Sequence, residues 1–119
     1  MQRTAPAAPH WAGTYQAVLP CQDCPGTAIR VQLRPNMTAA VLERRLGTPT
    51  EQGAAPTYQG PLRFEQSAQA SWVILAPPQQ PAPAYRFLIG EGWIELRDRA
   101  TGEPLSAGPQ YRLLRTNLL

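Results

Sequence analysis

Apolar and polar residues alternate along much of this chain. In residues 11–19, Tyr15, Ala17 and Leu19 fall on one side and Thr14, Gln16 and Val18 on the other, the period-2 pattern of a half-buried strand. Residues 27–34 alternate more regularly. Ile29, Val31 and Leu33 point inward and Arg30, Gln32 and Arg34 outward, before a turn at Pro35-Asn36. Residues 38–46 (TAAVLERRL) are rich in helix formers, so local propensity favours a helical turn. Hairpin pairing with 27–34, with Leu42 and Leu46 on one face, favours a strand instead, because β preference follows the neighbours. Strand is the expectation here.

Residues 47–60 contain two prolines, three threonines and three glycines and read as a long loop. Strands are expected at 62–65 and at 71–76, the latter with Trp72 and Ile74 on one face. The run Pro77-Pro78-Gln79-Gln80-Pro81-Ala82-Pro83 cannot enter a central strand and predicts an exposed connection. Tyr85, Phe87 and Ile89 alternate, Gly90-Glu91-Gly92 makes a tight turn, and residues 93–98 return as its hairpin partner. Thr101-Gly102 is a further turn, and 111–115 is a last strand. About eight short strands at this spacing predict an all-β fold, a small antiparallel up-and-down β-barrel.

The chain has 119 residues, 43% of them hydrophobic and 16% charged, which suits one globular domain with one modest core. Its opening, through Ala5-Pro6-Ala7-Ala8-Pro9, reads as a disordered tether over 1–10, leaving 11–119 as the domain. No apolar run approaches the ~20 residues of a membrane-spanning helix. The net charge is +3, and all eleven basic residues are arginines. They are spread along the chain without interleaved aromatics, so no nucleic-acid partner is expected.

Chemistry concentrates at Leu19-Pro20-Cys21-Gln22-Asp23-Cys24-Pro25-Gly26, which holds both cysteines. Two cysteines separated by two residues can form a local disulfide, a redox pair or a two-thiolate site for a soft metal. A thioredoxin-like pair sits at a helix N-terminus, whereas Pro25-Gly26 leads straight into a strand. Structural zinc takes four ligands, beyond what two cysteines, His10 and scattered acids offer. Cu(I) accepts two thiolates, with a thioether such as Met37 optional, but a strand of ~25 Å separates Met37 from the pair. A structural disulfide ranks first, metal binding second and catalysis third. Asp23 reads as capping the turn through its own backbone. Glu43, Glu91 and Glu95 have no acid–base spacing, and no enzyme is expected. The three tryptophans and four tyrosines read as core, with lining for a small hydrophobic ligand as the alternative.

With Gly13-Thr14-Tyr15, the LPCQDCPG run and then Ile29, Val31 and Leu33, the chain resembles the N-terminal domain of the NlpE family. These are outer-membrane lipoproteins of Gram-negative bacteria associated with copper resistance and envelope-stress signalling. Ala17 replaces the family glycine after the tyrosine, Thr27 the isoleucine after Pro-Gly, and Pro35-Asn36 the usual Asp-Gly. Long members carry a second, OB-like domain, and signalling that depends on it is not expected of this chain.

The resemblance implies a lipocalin-like barrel and a lipid anchor ahead of Met1. It also implies a non-enzymatic, periplasm-facing role in copper tolerance or envelope sensing, through Cys21 and Cys24 as Cu(I) thiolates or as a disulfide. Pro20, Asp23, Pro25 and Gly26 form the motif turn, copper is the one candidate cofactor, and an envelope sensor protein is the candidate partner. Two alternatives remain: a carrier of a small hydrophobic ligand, and an interaction module that docks through an edge strand or the 77–83 loop and has a purely structural disulfide.

Overall fold

The computed structural model describes residues 11–47, 56–80 and 82–117. The expected tether at 1–10, most of the expected loop at 47–60, Pro81 and residues 118–119 lie outside them.

Eight strands form in chain order: β1 Gly13–Leu19, β2 Thr27–Arg34, β3 Thr38–Arg45, β4 Tyr58–Gln66, β5 Ser71–Leu75, β6 Tyr85–Ile89, β7 Trp93–Arg97 and β8 Arg112–Asn117. Each pairs antiparallel with the next, and β8 closes on β1. The expected up-and-down barrel is therefore what the chain forms. Among the described residues each strand has a neighbour on both sides, with β3 pairing to β4 only from Thr38 to Val41.

The alternation works as read. Tyr15, Leu19, Ile29, Val31, Leu33, Ala39, Val41, Val73, Leu75, Phe87, Ile94 and Leu113 are buried in one core. Burying each larger apolar side chain contributes roughly 1.5–3 kcal/mol against the entropy of ordering the chain. Trp11 closes one end of the barrel, 3% exposed and edge-on to Phe64 at 5.0 Å. The Tyr15 hydroxyl donates to its carbonyl at 2.7 Å.

Residues 38–46 resolve as a strand, since Thr38 to Arg45 pair with Arg34 to Thr27 in unbroken register. The β2–β3 turn makes this possible. Met37 takes a positive φ of 69°, its amide donates to the Arg34 carbonyl at 3.1 Å, and Asn36 Oδ1 accepts from the Thr38 amide and hydroxyl. The inward residues of β3 are Ala39 and Val41, so Leu42 and Leu46 lie on the outer face.

Two expectations need correction. The loop expected through Gly60 ends earlier, because β4 begins at Tyr58, whose ring the core buries. Pro61 is tolerated within β4 because pairing to β3 ends there and pairing to β5 begins at Leu62. The last strand is Arg112–Asn117, with Tyr111 still in the turn. Trp72 and Ile74 share a face as expected, and it is the outer one. There the guanidinium groups of Arg86 and Arg97 lie over the Trp72 ring at 5.9 and 5.6 Å.

Candidate functional site

The motif turn joins β1 to β2 at the end of the barrel opposite Trp11. Cys21 and Cys24 are bonded to each other as a disulfide, with their Cα atoms 5.4 Å apart. Both are half-buried at the rim. The turn is fastened at three points to the end of β3 and the two residues that follow it. The Leu46 amide donates to the Gly26 carbonyl at 2.8 Å. Arg45 Nη2 donates to Asp23 Oδ1 at 2.8 Å. The Pro25 ring lies over Gly47, where a Cβ would approach its Cδ to 2.8 Å and where φ is +79°.

These contacts explain the motif residue by residue. Gly26 is buried beneath Val18, whose Cγ1 would lie 2.5 Å from a Cβ, so this position takes no side chain. Pro25 fixes the backbone entering that close approach and supplies the ring that covers Gly47. Pro20 is exposed at the end of β1.

Asp23 departs from expectation. Its carboxylate is tied across to β3 rather than only capping its own turn. The Arg45 hydrogen bond, and then its charge, hold this exposed carboxyl below the usual carboxylate range. Sequence reading missed this because Asp23 and Arg45 are far apart along the chain and meet only through the β2–β3 register, in which Thr27 faces Arg45.

The structure does not bring Met37 to the cysteines. It lies beyond Arg34, at the opposite end of β2 from the Thr27–Arg45 pair. His10 lies outside the described residues. Among the described residues, no group of three or more His, Cys, Asp or Glu side chains could hold a metal ion. The cysteine pair, once reduced, would therefore suit a two-coordinate soft ion rather than a tetrahedral one.

Two polar clusters escaped the sequence reading. At the same end of the barrel, the Tyr85 hydroxyl donates to Glu43 Oε2 at 2.5 Å and lies 2.9 Å from the Thr57 hydroxyl. Burial first, then the Glu43 hydrogen bond, push the Tyr85 phenol up to about 12. On the outside, buried Glu95 accepts from Arg97 Nε at 2.8 Å and Arg112 Nε at 3.0 Å. The Arg112 guanidinium also lies 4.0 Å from the centre of the Trp93 ring. The i, i+2 spacing of Glu95 and Arg97 was legible as a shared face. The third member comes from the register of β7 with β8, in which Glu95 faces Arg112.

The model of the NlpE N-terminal domain family matches residues 15–106. That span takes in the cysteine turn, most of β1 and all of β2 to β7. Among solved structures, the chain is similar to a candidate lipoprotein from Shewanella oneidensis. The two share 20% identity, the match covers 91% of each chain, and the TM-score is 0.64. This likeness concerns the fold. No curated protein matches the chain.

Proposed function

Given that the chain belongs to the NlpE N-terminal domain family, we propose that it is the non-enzymatic, periplasm-facing domain of an outer-membrane lipoprotein whose Cys21–Cys24 pair reports on copper or oxidative stress. One observation carries this reading. The disulfide sits at the rim, half-exposed, in a turn whose main fastenings run to the end of β3. A bond placed there is reachable by a reductant without opening the core. Its loss changes the rim and leaves the barrel closed.

The chemistry is balanced in two steps. Reduction by a thiol donor puts two electrons and two protons on the sulfurs and oxidises the donor to its disulfide. The two thiols then lose their protons as they bind Cu(I), since the thiolate is the ligand. Cys21 and Cys24 would be the two donors, with Asp23 already engaged by Arg45.

The test is a Cu(I) competition titration of the reduced protein against a chromophoric chelator, beside a Cys21→Ser/Cys24→Ser variant. Binding of one ion per chain that the variant lacks supports the reading. Failure to compete, together with an unchanged stress response in cells carrying the variant, would overturn it and leave the disulfide structural.

A further inference from the structure

The outer face of β1, β2 and β3 carries a groove of about 580 Å³ that is separate from the cysteine chemistry. Its floor is Ala28, and its walls are Gln16, Val18, Arg30, Leu42 and Arg44. The register builds it. Ala28 is flanked by Val18 on β1 and Arg44 on β3, and one step along, Arg30 is flanked by Gln16 and Leu42. A methyl group set among these longer side chains leaves the depression. Val18 is 58% exposed, and Leu114, which faces Gln16 from β8, is 60% exposed. Both figures are high for large apolar side chains on a small barrel.

Charge is segregated on this face. Arg45, Arg63, Arg86, Arg97 and Arg112 each pair with a carboxylate. Among the described residues, Arg30, Arg34, Arg44 and Arg99 have no carboxylate within ion-pair distance. The first three lie on these strands, and Arg30 and Arg34 reach only the glutamines Gln16 and Gln32. Glu43, the one acid on the three strands, also lines the groove, but its Oε2 is engaged in accepting from the Tyr85 hydroxyl. Apolar side chains between carboxylate-free arginines call for an occupant that is both acidic and apolar.

We propose that this groove binds an extended acidic segment of a partner protein, with two carboxylates on Arg30 and Arg44 and an apolar side chain over Ala28 against Val18. The spacing agrees. Arg30 and Arg44 are diagonal cross-strand neighbours, roughly 7–8 Å apart at the backbone. Side chains i and i+2 of an extended peptide project to the same side about 6.5–7 Å apart. A second copy of this chain docking face to face would set arginine against arginine. A lipid surface would favour protruding side chains over a depression.

The experiment is an NMR titration of the ¹⁵N-labelled domain with an acetylated Glu-Ser-Glu-Ser-Leu-Ser peptide. The same peptide with glutamine for glutamate, and phosphatidylglycerol vesicles, serve as the other arms. Saturable shifts confined to residues 16–18, 28–30 and 42–44 are expected, with a Kd below about 1 mM. Binding should fall at least about tenfold in Arg30→Gln/Arg44→Gln and also in Ala28→Leu, which fills the depression and keeps the charge. The amide spectrum of each variant confirms its fold. Absence of saturable shifts, shifts elsewhere, or equal binding of the glutamine peptide would overturn the proposal. Arginine-dependent binding of the vesicles alone would do so too, and would make the face a membrane contact.

Discussion

Asp23, between the two cysteines, accepts a hydrogen bond from Arg45 at the end of β3 at 2.8 Å. The disulfide turn is thereby tied to a strand that it does not adjoin in sequence. The ion pair is exposed, so its weight lies in positioning the turn rather than in global stability.

The Asp23 carboxyl therefore titrates low in the folded protein, with the Arg45 hydrogen bond as the leading cause. Carboxyl ¹³C shifts followed against pH should give a midpoint below the usual aspartate value, and Arg45→Gln should move it up. The folded value is the depressed one, so the pair's contribution is present above the unfolded value. It is lost as pH falls through the folded value. High salt should shrink the difference.

Gly47 combines a φ of +79° with a Cβ position 2.8 Å from Pro25 Cδ. Gly47→Ala should cost about 1–2 kcal/mol for the left-handed backbone alone, visible as a lower urea midpoint. Gly92 has a similar φ of +81° but open space at its Cβ position. Gly92→Ala should therefore cost less, and a difference between the two variants isolates the Pro25 contact.

Tyr85 is the phenol pushed up to about 12 by burial and by Glu43. Burial also raises Tyr15 and Tyr58, so ultraviolet titration should show late-ionising phenols, of which Tyr85→Phe removes one. In Glu43→Gln the Tyr85 midpoint should fall yet stay above the ordinary value, because burial remains. With the folded value raised above the unfolded one, the unfolded chain loses this proton first. Stability should then decline between about pH 10 and 12, and Tyr85→Phe should flatten that decline.

Glu95 is 7% exposed and accepts from both Arg97 and Arg112. Glu95→Ala leaves two guanidinium groups without their carboxylate, and the loss of charged hydrogen bonds should destabilise the fold by about 2–3 kcal/mol. Glu65→Ala removes a more exposed partner of Arg63 and Arg86 and should cost under about 1 kcal/mol. Denaturant unfolding of the pair tests the ordering.

Much of this protein was open to reading from residue order alone. Strand positions followed from alternation such as Ile29-Val31-Leu33 and Tyr85-Phe87-Ile89, because a side-chain period of two leaves a direct trace in the chain. The cysteine turn was equally legible, since its members are contiguous. Residues 38–46 were harder. Their helix propensity was overridden by eight consecutive pairs with β2, an influence that local composition does not record.

Other features arise only when distant strands are brought into register. Barrel closure depends on β8 reaching β1. The same holds for Asp23 with Arg45, Glu43 with Tyr85, and Arg112 with Glu95. The groove over Ala28 is of this kind as well. Alternation assigns each residue to a face, but a one-residue slip of β3 would move Arg44 to the interior and Glu43 to the surface. Local sequence specified the strands and the rigid turn, and closure of the sheet chose which side chains would meet across it.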